Sequence, residues 1–105
     1  MEAMETFIRL VEDEEFVQGH EVLEVLWKTW KNDPQKHEES LILKGLINGS
    51  TALALLKLNR LDGALRVWNT FTKYQSLIHT LPSEHTPVYL EAKSLLEQKF
   101  KTLTR

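Results

Sequence analysis

The chain has 105 residues, 42% of them hydrophobic and 27% charged, with a formal net charge of -2 and no cysteine. That length and balance describe a single folded domain with one real core and exclude a disordered chain. The lack of cysteine excludes disulfides, a thiol nucleophile and thiolate zinc ligation, and the slight acidity gives no general attraction to nucleic acid or to an anionic membrane.

The first residues are acidic and broken by charges, unlike the basic start and apolar run of a secretory leader. No uncharged apolar stretch approaches the ~20 residues of a membrane helix, so a cytoplasmic location is the expectation. Met4, Phe7, Ile8 and Val11 predict a first helix over residues 2–12, with Glu2 and Glu5 at its positive end. The acidic run Glu12, Asp13, Glu14, Glu15 reads as a solvated connector into a second helix over residues 13–31. On that helix Phe16, Val17, His20, Leu23, Trp27 and Trp30 share one face, and Val22, Val25 and Leu26 add apolar character elsewhere. A helix apolar on more than one side is expected to be surrounded, which makes the HEVLE helix the expected centre of the fold.

Asp33 and Pro34 are the expected cap and first residue of a third helix that runs to about Leu58. Gly45, Gly49 and Ala52 lie along one of its sides, a groove that Trp27, Trp30 or Trp68 is expected to fill. Asn59 suits the left-handed conformation that ends a helix, and the short turn NRLDG turns the chain back antiparallel, with Asp62 as the expected cap of the fourth helix. That helix is expected to bury Leu61, Ala64 or Leu65, Trp68, Phe71 and Ile78. Residues 81–86 form the longest loop. Thr86 caps and Pro87 opens the last helix, whose stripe is Tyr89, Ala92, Leu96, Phe100 and Leu103. The fold expected is all-α, one domain over residues 1–105: a compact antiparallel bundle of about five helices, without a repeat of fixed period.

Three segments, HEVLEVLW (His20–Trp27), KGLIN (Lys44–Asn48) and LDGALRV (Leu61–Val67), resemble in order and spacing the family known as domain of unknown function 309, over roughly Phe7 to Leu81. The resemblance implies a compact helical bundle and brings no established activity. Asn48 stands where that family usually has glutamine, so any hydrogen bond it makes toward the second helix would have to be rearranged.

His20 and Glu24 are one helical turn apart and their side chains can meet. One reading is half of a metal site, because HEVLE echoes the HExxH helix of zinc hydrolases. The second histidine is missing, so His20 and Glu24 alone fall short of the usual three protein ligands. The other reading is a buried hydrogen-bonded cluster of His20, Glu24 and Asn48 that selects one packing of the second and third helices. Such a cluster would make His20→Ala cost about 1–3 kcal/mol. Near the pair there is no phosphate-cradling loop or nucleophile motif.

Tryptophans at helical spacing read first as core; Trp30, nearest a helix end, is the one expected to be partly exposed and is the candidate partner surface. The terminal KFKTLTR, with Lys93 and Lys99, reads as a solvated helix end. The sequence therefore predicts a small helical scaffold or binding module with no cofactor, able to meet a protein partner or a second copy of itself. It predicts no nucleic-acid or membrane partner. The alternative is a metal-dependent or acid–base enzyme, hydrolase-like, centred on His20 and Glu24.

Overall fold

In the computed structural model, which describes residues 1–105, each apolar stripe becomes a helix. They are α1 (Glu2–Glu12), α2 (Phe16–Trp30), α3 (His37–Lys57), α4 (Leu61–Gln75) and α6 (Thr86–Leu103), with a single turn, α5 (Leu77–Thr80), before the last. There is no strand, and no helix is long and apolar enough to cross a membrane.

Two helix ends share one geometry. α3 closes with Asn59 at φ 59°, Asn59 N–H donating to Leu56 and Arg60 N–H to Leu55. This is the paired hydrogen-bond pattern that satisfies the last carbonyls of a helix. α1 closes the same way around Glu14 at φ 60°, with Glu14 N–H to Val11 and Glu15 N–H to Leu10. A left-handed glutamate costs on the order of 1 kcal/mol. Here its carboxylate is gripped from two helices, by Lys57 Nζ at 2.9 Å and Lys99 Nζ at 3.3 Å. Hydrogen bonds from Lys57 and then Lys99 hold its pKa below the ordinary 4.5. The acidic run is thus a pinned corner rather than a free connector, and it delays the start of α2 to Phe16.

The other helix starts also differ from expectation. Asp33 does not cap α3; its carboxylate accepts the Gln35 N–H at 2.9 Å and closes a turn, and α3 begins at His37. Asp62 lies inside the first turn of α4, after Arg60. Thr86 is already helical and donates its hydroxyl to Ser83 O, while Ser83 Oγ receives the His85 N–H.

The centre of the bundle is α3, not the HEVLE helix. Ile42, Leu43, Leu46, Ile47, Ala52 and Leu53 are buried along α3, whereas α2 buries only Phe16, Gly19 and Leu23. The reason is visible in composition: Val17 and Val25 of α2 face solvent among Glu21, Glu24 and Lys28, while from Leu41 to Leu56 α3 carries Lys44 as its only charge. α2, α4 and α6 pack around α3, and α1 closes the bundle by lying against α2 and α6, with Met4, Phe7, Phe71, Tyr89 and Leu96 filling the space between. On α4, Ala64 and Phe71 are buried but Leu61 and Leu65 are exposed, and Ile78 reaches the core from α5.

The tryptophans do not fill the glycine groove. A methyl at Gly49 would sit 2.9 Å from Leu96 Cδ1 and 3.2 Å from the Phe71 ring, and one at Gly45 would sit 3.0 Å from Tyr74 Cβ. The glycines therefore let α4 and α6 approach α3 closely. Trp68 instead stacks on Phe100 at 4.0 Å between ring centroids.

Candidate functional site

α2 is held close to α3 by small residues. Ser50 Oγ donates to Phe16 O at 2.7 Å, and a methyl at Gly19 would lie 3.3 Å from Ser50 Oγ and 3.5 Å from the Phe7 ring. One turn further along, larger side chains separate the two helices and open a groove of about 290 Å³. It is lined by His20, Glu24 and Trp27 from α2 and by Lys44, Ile47, Asn48 and Thr51 from α3.

His20 Nε2 lies 2.9 Å from Glu24 Oε2, and Lys28 Nζ lies 3.3 Å from Glu24 Oε1. A carboxylate only accepts hydrogen bonds, so Nε2 carries the proton of the contact, and in the uncharged form of the ring the lone pair is on Nδ1. The Lys28 hydrogen bond, above all, lowers the Glu24 pKa against the opposing effect of desolvation, with His20 adding to it. Glu24 is therefore an ionised orienting group for the imidazole. The two side chains are 32% and 36% exposed. Neither side chain is enclosed as the expected buried cluster requires: the pair forms one wall of an open groove.

Asn48 lies on the opposite wall and joins no hydrogen bond with the pair. Its Nδ2 donates to Lys44 O at 2.7 Å, within its own helix. The shorter amide thus turns back onto α3 and leaves the groove open. No group of three or more His, Asp or Glu side chains comes together anywhere in the fold, so the donors around His20 stay below a metal's usual three. Trp30 is half-buried against the core, faced by His85 at 6.4 Å between ring centroids and by Lys36 Nζ at 4.9 Å. The most exposed apolar side chains are Val25, Leu58 and Val17 instead.

The polar cluster with the least solvent exposure is one that sequence reasoning missed. Glu39, at the start of α3 with its side chain 11% exposed, accepts hydrogen bonds through Oε2 from Tyr89 Oη and Ser83 Oγ, with Lys36 Nζ 3.7 Å from Oε1. Burial alone would raise the Glu39 pKa, but the Tyr89 and Ser83 hydrogen bonds and the Lys36 charge outweigh it and hold it below 4.5. Burial and the adjacent carboxylate raise Tyr89 well above 10.0. This cluster fastens the loop over residues 81–86 to α3. Lys44 and Thr51 were also missed as groove residues, although Lys44 precedes Asn48 by one turn and that spacing places both on one wall.

A second groove of about 310 Å³, lined by Glu14, Phe16, Val17, Ala54, Lys57 and Leu58 among others, holds less chemistry, because Glu14 and Lys57 already pair with each other. At the C-terminal end, Lys93 pairs with Glu97 and Lys99 with Glu14.

These features define an all-α bundle with an open, mixed-charge groove between its second and third helices. The chain belongs to the family described as Domain of unknown function (DUF309), which matches residues 4–67. The match reaches back to Met4 and stops at Val67, short of Leu81, so it covers α1 to α3 and about the first half of α4. No curated protein and no solved structure matches the chain.

Proposed function

We infer that the chain is a small helical binding module whose ligand seat is the groove between α2 and α3, with His20 and Glu24 as one polar wall. The observation that carries this reading is the openness of the pair. A carboxylate-oriented imidazole that faces solvent, beside half-buried Trp27 and across from Lys44 and Asn48, is an apolar-floored cleft with a few convergent polar groups. From the segments that carry the family resemblance, His20, Glu24, Trp27 and Lys44 meet there, with Asn48 at the position where the chain departs from the family. Structure alone gives the pair little to do. An exposed i, i+4 ion pair contributes about 0.3–0.5 kcal/mol, less than a helix needs to be placed.

A second reading, proton transfer by His20 Nδ1, is favoured by one observation: Glu24 fixes the Nε2–H tautomer, as the third member of a catalytic triad does. The groove supplies no Ser or Cys nucleophile, so His20 would have to act directly on a bound substrate or water.

Chemical-shift mapping with a panel of small fragments tests the seat. Amides of His20, Glu24, Trp27, Lys44, Asn48 and Thr51 are expected to move together for the fragments that bind. Hits that cluster instead at Val17, Ala54 and Leu58 would place the seat in the other groove and end this proposal.

A further inference from the structure

Resting on the α2–α3 groove as the ligand seat, the distribution of charge across it points to a class of ligand. Five lysines, Lys28, Lys36, Lys57, Lys93 and Lys99, pair with carboxylates within 4 Å. Lys44 does not. It is half-buried on the α3 wall, and its ammonium lies 5.5 Å from the centroid of the Tyr74 ring. A cation–π contact leaves ammonium N–H groups free to donate. The acid nearest in the groove, Glu24, is already engaged on both oxygens by His20 and Lys28. The ammonium thus rests beside α4 without a counter-ion, while the flexible stem of Lys44 lines the groove and can swing the charge to a ligand seated there. Asn48 adds to the α3 wall: one amide N–H is used on Lys44 O, which leaves the second N–H and the carbonyl oxygen. Across the groove, the uncharged form of the His20 ring presents its lone pair on Nδ1, since Nε2 lies against Glu24.

An amide donor and a lysine stem on one wall thus stand across from the His20 imidazole on the other, over the apolar floor made by Ile47 and Trp27. We propose that the α2–α3 groove binds a small organic oxyanion that carries a hydroxyl group, the anionic end on Lys44 and Asn48 and the hydroxyl donating to His20 Nδ1. A volume of about 290 Å³ suits a molecule of small metabolite size. Carboxylate and phosphate monoester share this chemistry, and the wall of Lys44 and Asn48 accepts either. Lys31 and Lys73 carry the same kind of exposed charge over Trp27 and Tyr74. Neither lines the groove, so they serve as controls for general attraction of anions.

The test is titration of the full chain, followed by amide shifts, with glycerate, glycerol 3-phosphate and inorganic phosphate. Propane-1,2-diol and ethanolammonium are the neutral and cationic counterparts. Glycerate or glycerol 3-phosphate is expected to move His20, Lys44, Asn48 and Thr51 with millimolar affinity, and whichever binds more tightly identifies the anionic group. Lys44→Met is expected to weaken that binding at least tenfold, Lys44→Arg to restore most of it, and Lys73→Met to leave it unchanged. Lys44 is half-exposed, and an unchanged unfolding midpoint for Lys44→Met shows that the loss is one of binding. If the diol or ethanolammonium moves the groove amides as strongly as the anions do, the oxyanion assignment is wrong although the groove remains a seat. Anion shifts that persist in Lys44→Met, or that inorganic phosphate reproduces in full, also overturn it. No groove shift from any probe counts against both the assignment and the seat.

Discussion

Phe71→Ala lowers the unfolding free energy by about 3–5 kcal/mol, the usual range for deleting a buried ring. Phe71 is 1% exposed, and its ring packs 4.5 Å from Trp68 between centroids and closely over Gly49, beside Leu96 of α6. It is the point at which α4 reaches both α3 and α6. Gly49, directly beneath the ring, has no side chain to fill the space it would vacate, which favours a cavity. A domain of this length is stable by roughly 5–15 kcal/mol, so the variant loses a large share of its margin. Its melting temperature should fall by on the order of 20 °C. Urea unfolding followed by far-ultraviolet circular dichroism checks this, and a loss below about 1 kcal/mol would show that the ring is not keyed into α3.

The next largest effect is expected at the cluster beneath the loop over residues 81–86. Glu39→Ala removes the acceptor for both Tyr89 and Ser83. Hydrogen bonds to a charged group contribute about 1.5–3 kcal/mol each and are not additive within one network, so a total loss on the order of 3 kcal/mol is expected. Tyr89→Phe removes one of the two and should cost about half as much.

The same cluster shapes the pH dependence of stability. Glu39 has a folded pKa below its ordinary 4.5, so between those two values the unfolded chain binds the proton and the folded one does not. Its contribution is complete above about pH 4.5 and is lost as pH falls through the folded value. Tyr89 is shifted the other way, above 10.0, so above that pH the unfolded chain releases a proton that the folded one keeps. Its contribution is complete below pH 10 and is lost as pH rises beyond it. Stability measured against pH should therefore show an alkaline decline that Tyr89→Phe removes, and an acid decline that becomes shallower in Glu39→Ala. An alkaline limb that persists unchanged in Tyr89→Phe would show that Tyr89 is not its origin.

Much of this fold could be read in the sequence because its determinants are local. The stripes of α1 and α6, the left-handed Asn59 and the proline that opens α6 each act within a few residues. Helix starts were harder. An aspartate before a proline can cap a helix or close a turn, and Asp33 does the latter by accepting the Gln35 N–H. The corner at Glu14 carries no signal of its own, because what holds a glutamate in the left-handed region is two lysines 43 and 85 residues away. The choice of central helix failed for a different reason. Val17 and Val25 count as apolar in any periodic pattern, yet they face solvent, and the axis passes through the more uniformly apolar α3.

The site divides along the same line. That His20 and Glu24 meet follows from their spacing. That they meet in an open groove depends on how far α2 stands from α3, which Gly19 and Ser50 set one turn away. The enclosed cluster sought around His20 exists elsewhere, at Glu39, where its partner Tyr89 is 50 residues distant and beyond the reach of any periodic argument.

Chemical unfolding of the double variant His20→Ala/Glu24→Ala, beside the parent chain, bears most directly on whether this pair serves a ligand or the architecture. With both side chains about one-third exposed and joined only to each other and to Lys28, the expected loss is within about 1 kcal/mol, with helical content unchanged. A loss of about 3 kcal/mol or more would mean that the pair is a structural tie between α2 and α3, and the groove would lose its claim as the seat of function.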